Sequence, residues 1–295
     1  MTNVIVKLSC AAAAIAVAIP LFAAGAVPTG KPEDVGFSSE RLGRIKEAVQ
    51  RHIDSGNVPG AVTLVARRGR VVHFEAHGLN DVEAKKPMPK DAIFRLASMS
   101  KPIAATAVMM MIEEGKVRLN DPVSRFIPEF KQSMVAVPKG GAAAGGGGRG
   151  GGRGGPPPEV DLVPARPITV RDLLTHTSGL MSGGPGQQTA PPAAQQRTPQ
   201  DTLATYMPRL GGVSLDFPPG TLWRYSGLHG FDVLCRIVEV ASGTTIDRFM
   251  QQRLFDPLGM KDTGFTITAA RQPRMATMYR RMQGGGSERP PDQGG

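Results

Sequence analysis

Ser98 and Lys101 carry the clearest chemical signal in the chain. They lie in Phe94-Arg95-Leu96-Ala97-Ser98-Met99-Ser100-Lys101-Pro102. The next stretch, Ile103 to Ile112, is apolar apart from Thr106 and predicts a buried helix. Residues i and i+3 share one helix face, so the spacing sets a hydroxyl beside an amine. Serine is a weak nucleophile until a base takes its proton. Lysine serves as that base where burial or a nearby cation favours its neutral form. The helix start adds a dipole and a backbone N–H suited to an oxyanion. The alternative is a Ser98 that only caps the helix and a Lys101 at the surface. Of the 11 lysines, Lys101 is the one with serine three positions before it.

Two further stretches bear on this pair. Pro218 to Gly227 is a turn-rich loop that presents Tyr225, one of three tyrosines, just before an apolar run. A phenol there accepts or relays a proton where cations favour its ionised form. The alternative is a tyrosine packed at a loop edge. In Leu173 to Leu180, His176 is followed by Thr177, Ser178 and Gly179. That pattern reads as a helix end turning through Gly179, with hydroxyls tying down the backbone, rather than as a catalytic histidine.

Other chemistries lack their signatures. The sequence contains no Gly-x-Ser-x-Gly, no His-Glu-x-x-His, no Cys-x-x-Cys and no P-loop. Arg149 and Arg153 lie in a glycine tract without interleaved aromatics, so no nucleic-acid partner is expected. No metal or organic cofactor is expected either.

The elements that must position these groups are partly legible. Ser38 and Glu40 open a helix striped by Leu42, Ile45, Val49 and Ile53. Ala61–Ala66 and Val71–Ala76 flank a tight turn and predict a β-hairpin. Pro102 falls in the first turn of its helix, where the missing N–H costs nothing. Val123 to Phe130 predicts a short helical segment. Residues 139–159, nearly all Gly, Ala, Pro and Arg, predict a flexible insertion. Thr169 and Asp172 form a capping-box pattern. Met181 to Arg197 reads as a loose loop, Thr198-Pro199 as a helix start, and Leu228 to Val240 as an apolar helix. Thr244 to Asp247 opens one more helix, and residues 271–295 read as a basic, Gly- and Pro-rich disordered tail. Two strands are too few for an independent sheet.

The chain has 295 residues and a formal net charge of +10, read as a solvated basic surface. Lys7, the apolar run Leu8–Phe22 and Ala24-Gly25-Ala26 predict an export signal over residues 1–26. The mature protein is then periplasmic or extracellular, with no membrane span left after cleavage. Cys10 lies inside that signal, so Cys235 is the single mature cysteine and no internal disulfide forms. The oligomeric state is not legible.

Taken together, Phe94–Ile103, Leu119–Pro122, Ile168–Leu180, Pro219–Ser226 and Leu254–Phe265 resemble the serine β-lactamase and penicillin-binding-protein superfamily. Class C β-lactamases, family VIII carboxylesterases and D-peptidases are the nearest branches. The resemblance spans residues 35–270. It implies an α/β (α+β) fold, with a helical lobe packed on an antiparallel sheet and Ser98 in the cleft between them. It also implies a serine-hydrolase domain over residues 27–270. Ser98 becomes the acylated nucleophile, Lys101 its base partner, and Tyr225 the tyrosine of a Tyr-x-Asn or Tyr-Ser-x motif. Gly227 stands where many members have Asn, which is more similar to the esterase-like branch. Asp262-Thr263-Gly264 is similar to the family's third motif, but it follows Pro257-Leu258-Gly259-Met260 and is expected to be a loop. The chain is therefore read as ending before the third motif and before the strands that complete the sheet. The implied substrates are small-molecule carboxylic esters, β-lactams or D-amino peptides. The alternatives are a non-catalytic binding member or a polyanion binder acting through the Arg/Gly insertion.

Overall fold

The computed structural model describes residues 27–139, 158–227, 229–282 and 286–290. The expected export signal and most of the expected insertion fall outside these residues.

Helix α1 (Ser39–Asp54) begins where Ser38 Oγ accepts the Arg41 N–H. It lies against a three-stranded antiparallel sheet, β1 (Gly60–Arg67), β2 (Arg70–Asp81) and the two-residue β3 (Lys86–Pro87). The β1–β2 turn places Arg68 and Gly69 at positive φ, the left-handed pairing that tight hairpins use.

Helix α2 (Ser100–Glu113) runs through the helical lobe. Ala107, Val108 and Met111 are fully buried on it. It packs on α7 (His229–Ser242), whose Val233, Leu234, Ile237 and Val238 are equally buried. Each such aliphatic side chain stabilises the fold by roughly 1.5–3 kcal/mol, which makes the α2–α7 seam the centre of the core. Helices α3 (Val170–Leu174) and α6 (Leu203–Gly211) pack on the same α7. Helix α8 (Ile246–Met250) passes into a π-helical turn over Gln251–Phe255 and ends before Pro257. The expected segment at Val123–Phe130 forms two 3-10 turns, Val123–Arg125 and Pro128–Lys131.

Three local expectations change. Strands β4 (Ser133–Pro138) and β5 (Val160–Ala165) pair in register from Ser133–Ala165 to Pro138–Val160, although the sequence reading placed no strands there. Their low-complexity connection hides the turn signal that marks a hairpin. Residues 181–197 are held rather than loose, with short helices α4 (Pro185–Gln188) and α5 (Pro192–Gln195). Buried Asp216 organises this segment, accepting from Ser182 N–H at 2.6 Å, Ser182 Oγ at 2.7 Å and Gln187 N–H at 2.8 Å. Helix α6 begins at Leu203, not at Thr198, because Thr202 and Thr205 form its capping box. Thr198 instead closes a turn onto Asp201.

Beyond Arg271, where a disordered tail was expected, the described residues lie along the hairpin sheet. Met275 bridges Ile93, and Thr277 N–H donates to Asn80 Oδ1 at 3.3 Å. A short pair, β6 (Arg280–Arg281) with β7 (Ser287–Glu288), follows. No helix among the described residues is long and apolar enough to cross a membrane.

Candidate active site

Ala97–Met99 forms a 3-10 turn that runs directly into α2, so Ser98 and Lys101 share one helical turn as the spacing requires. Ala97 sits at φ +44°, a left-handed conformation uncommon for a residue with a Cβ. Such strain persists where surrounding structure over-determines it, and here it adjoins Ser98. Ser98 is exposed and Lys101 is buried. Lys101 Nζ donates to Ser98 Oγ at 3.2 Å. The Lys101 ammonium also lies 4.8 Å from the Tyr225 ring centroid and 5.8 Å from that of Phe231. Two aromatic faces thus supply part of what water would give the cation.

Tyr225 reaches the same atom. Its hydroxyl donates to Ser98 Oγ at 2.7 Å across 127 residues of sequence. All three residues singled out from the sequence therefore meet at one oxygen. Hydroxyl, amine and phenol are all proton-transfer groups, and the first turn of a helix leaves N–H groups without intrahelical acceptors.

The loop carrying Tyr225 is tied to the turn after α3. Gly220 N–H donates to Thr177 O at 2.8 Å, and Arg224 N–H to His176 O at 3.0 Å. Ser226 N–H donates to His176 Nδ1 at 3.3 Å, with Ser226 Oγ 3.1 Å from the same nitrogen. The His176 ring packs 4.7 Å from the Tyr225 ring and 5.3 Å from Phe231. Burial, and then the charge of Lys101, push the His176 pKa down, so the neutral ring can accept at Nδ1. The reading of His176 as structural agrees with these contacts, since they run to Ser226 and Tyr225. Its packing under Tyr225 was missed, as was the contact of Phe231 with Lys101. The signal was an aromatic residue six positions after Tyr225, on the opening turn of an apolar helix.

Beneath this loop lies a second network. Asp172 closes the capping box with Thr169 and accepts two bonds from Arg166, at 2.7 and 2.9 Å. Gly220 has φ +81°, a conformation that favours glycine, and a Cβ there would stand 2.6 Å from Arg166 Nη2 and push that guanidinium tip aside.

An open groove of about 690 Å³ begins beside Lys101, lined by Leu96, Ile103, Phe231, Cys235 and Phe265 among others. Thr263 and Gly264 also line it. They belong to a loop, not a strand, and Asp262 beside them pairs with Arg274 at 2.7 Å. Burial, helped by Asp232 and Glu239, pushes the Cys235 thiol up to about 12. Cys235 is therefore expected to alkylate with iodoacetamide at pH 8 at least ~100-fold more slowly in the folded chain than in urea. Peptide mapping of the two reactions checks this, and equal rates would contradict it.

Comparison with known proteins identifies the family and the fold. The family model described as Beta-lactamase matches residues 45–295. Protein Rv1367c of Mycobacterium tuberculosis is 34% identical over 239 residues, covering 79% of this chain and 54% of that protein. Esterase EstB of Burkholderia gladioli is 32% identical over 262 residues, covering 87% of this chain and 58% of that one. The solved structure of EstCE1, "a hydrolase with promiscuous acyltransferase activity", is similar at a TM-score of 0.66 and 32% identity, covering 85% of this chain and 59% of that chain. The chain thus spans between half and three-fifths of the length of these relatives. Its helices and antiparallel sheets form the β-lactamase/transpeptidase-like α/β fold, and the chain belongs to the Beta-lactamase family.

Proposed function

We propose that the chain carries the nucleophilic centre of a serine hydrolase that forms an acyl-enzyme on Ser98 and acts on carboxylic esters. One observation carries this reading: Ser98 Oγ lies between Lys101 Nζ at 3.2 Å and Tyr225 Oη at 2.7 Å. In the reactive form the Lys101–Tyr225 pair is one proton short of ammonium plus phenol, and it takes the Ser98 proton as Ser98 Oγ attacks the ester carbonyl. The C–O bond to the alcohol breaks, and the alcohol leaves with that proton. Water then attacks the acyl carbon, gives up a proton to the same pair, and releases the acid as Ser98 is regenerated. The backbone N–H of Ser98, at a helix start, is the expected donor to the oxyanion.

The same steps would open a β-lactam or cleave a D-amino peptide. Esters are favoured because Gly227 brings no amide to the Tyr225 motif and because EstB is named an esterase. The basic, apolar leader sequence supports export to the periplasm or beyond.

A fluorophosphonate probe followed by peptide mass spectrometry tests the reading. One adduct is expected, on Ser98. An adduct on another serine, or none on the folded chain, would replace the acyl-enzyme with a non-catalytic binding role.

A further inference from the structure

Strand β2 carries His73, Glu75 and His77, alternate residues whose side chains leave one face of the hairpin. Along a strand the first and last of such a set stand ~13 Å apart at Cα. Their side chains nevertheless converge, and one ligand atom from each lies within 4.8 Å of the other two. Thr63, paired with Glu75 across the hairpin, sits at the centre. Its Oγ1 is 2.7 Å from His73 Nε2 and 3.0 Å from His77 Nε2. His77 Nε2 lies 3.9 Å from a Glu75 carboxylate oxygen. His77 is buried, His73 half-buried and Glu75 exposed, which gives the cluster a closed floor and one open side. It shares no residue with the Ser98 site.

We propose that His73, Glu75 and His77 bind a divalent transition-metal ion of the zinc type, with the Thr63 hydroxyl or a water completing four ligands. Two imidazoles and one carboxylate suit zinc, cobalt or nickel, whereas magnesium and calcium prefer all-oxygen sets. Four ligands at ~2.1 Å from a tetrahedral ion lie ~3.4 Å from one another. The separations among His73, Glu75 and His77 must therefore close by at most ~1.5 Å, while Thr63 Oγ1 must draw back from the two Nε2 atoms by ~0.4–0.7 Å to admit the ion. Side-chain torsions at exposed Glu75 and half-buried His73 supply that movement, while the hairpin register stays fixed.

The metal-free full chain, with any purification tag removed, is titrated with Co²⁺ and followed by its visible absorption. Zn²⁺ titration calorimetry gives the stoichiometry. One equivalent of each ion and the intense absorption of tetrahedral Co²⁺ are expected. Glu75→Gln keeps an exposed surface residue and so keeps the fold, which circular dichroism checks. It is expected to weaken Co²⁺ binding ~10-fold or more, at least what loss of an outer-shell partner costs a zinc site. His73→Ala is expected to abolish the tetrahedral spectrum. Zn²⁺ is expected to raise the thermal midpoint of the wild-type chain and not that of His73→Ala. No saturable binding, or binding unchanged in both variants, overturns the proposal. In the latter case the ion belongs to His52, His176 or His229, the remaining histidines.

Discussion

Lys101→Met is expected to slow acylation of Ser98 by ~10²–10⁴-fold, the range a positioned acid–base group contributes. Methionine keeps the length of the side chain and its contact with the Tyr225 and Phe231 rings but removes the amine 3.2 Å from Ser98 Oγ. Tyr225→Phe removes only the hydroxyl 2.7 Å from the same oxygen, and a loss of ~10²-fold or more is expected. If amine and phenol act as one proton relay, the double variant is no slower than the slower single variant. Stability should move the other way. A buried ammonium carries a desolvation cost that two cation–π contacts only partly offset, so Lys101→Met is expected to hold or raise the thermal midpoint. The rate of phosphonate labelling, measured beside a thermal melt, separates the two effects. A labelling rate within ~3-fold of wild type would remove Lys101 from the reaction.

Asp172→Ala is expected to lower the stability of the folded chain by about 3 kcal/mol. The side chain is buried, and its carboxylate accepts from Arg166 twice, from Thr169 N–H at 2.8 Å and from Thr169 Oγ1 at 2.7 Å. Truncation leaves Thr169 N–H without its partner and opens the start of α3. The urea midpoint is expected to fall with the slope unchanged. A change below ~0.5 kcal/mol would show that water replaces the carboxylate freely. A pH dependence follows from the same contacts. Burial pushes the Asp172 carboxyl up, but the bonds from Arg166 and Thr169 outweigh it and hold the folded value below the ordinary one. A carboxyl lowered by folding contributes stability that is full above its unfolded value, about 3.9, and is lost as pH falls through the folded value. Wild type should therefore lose stability to acid below about pH 4 more steeply than Asp172→Asn.

The parts of the site that were readable from sequence are the local ones. Ser98 and Lys101 are three residues apart, so helical spacing alone brings them together. Tyr225 is distant in sequence, and nothing in its loop says which atom its hydroxyl meets. Only the order of family segments joined it to Ser98, and the structure shows the contact. The same distinction explains the misses. Strands β4 and β5 are joined by a long Gly- and Pro-rich stretch in which no one position stands out as a hairpin turn. Residues 181–197 have a loop's composition, but they gain order from Asp216, about 20 to 35 positions downstream. Thr198-Pro199 and Thr202 both look like helix starts. At both, the side chain three residues on accepts from the first N–H, but only Thr202 Oγ1 accepts the N–H of the residue three on, from Thr205 at 3.3 Å, whereas Asp201 N–H goes to the Thr198 carbonyl.

The Tyr225 loop is fastened at Gly220 and again from Arg224 to Ser226, while Leu222 and Trp223 between those points stand exposed. Leu222 takes no part in these ties and can therefore be rewritten without disturbing the groups that make and break bonds, whereas Trp223 stands edge-on to the His176 ring at 6.1 Å. In a lineage that varies Leu222 the outer surface of the loop changes while the chemistry is inherited intact.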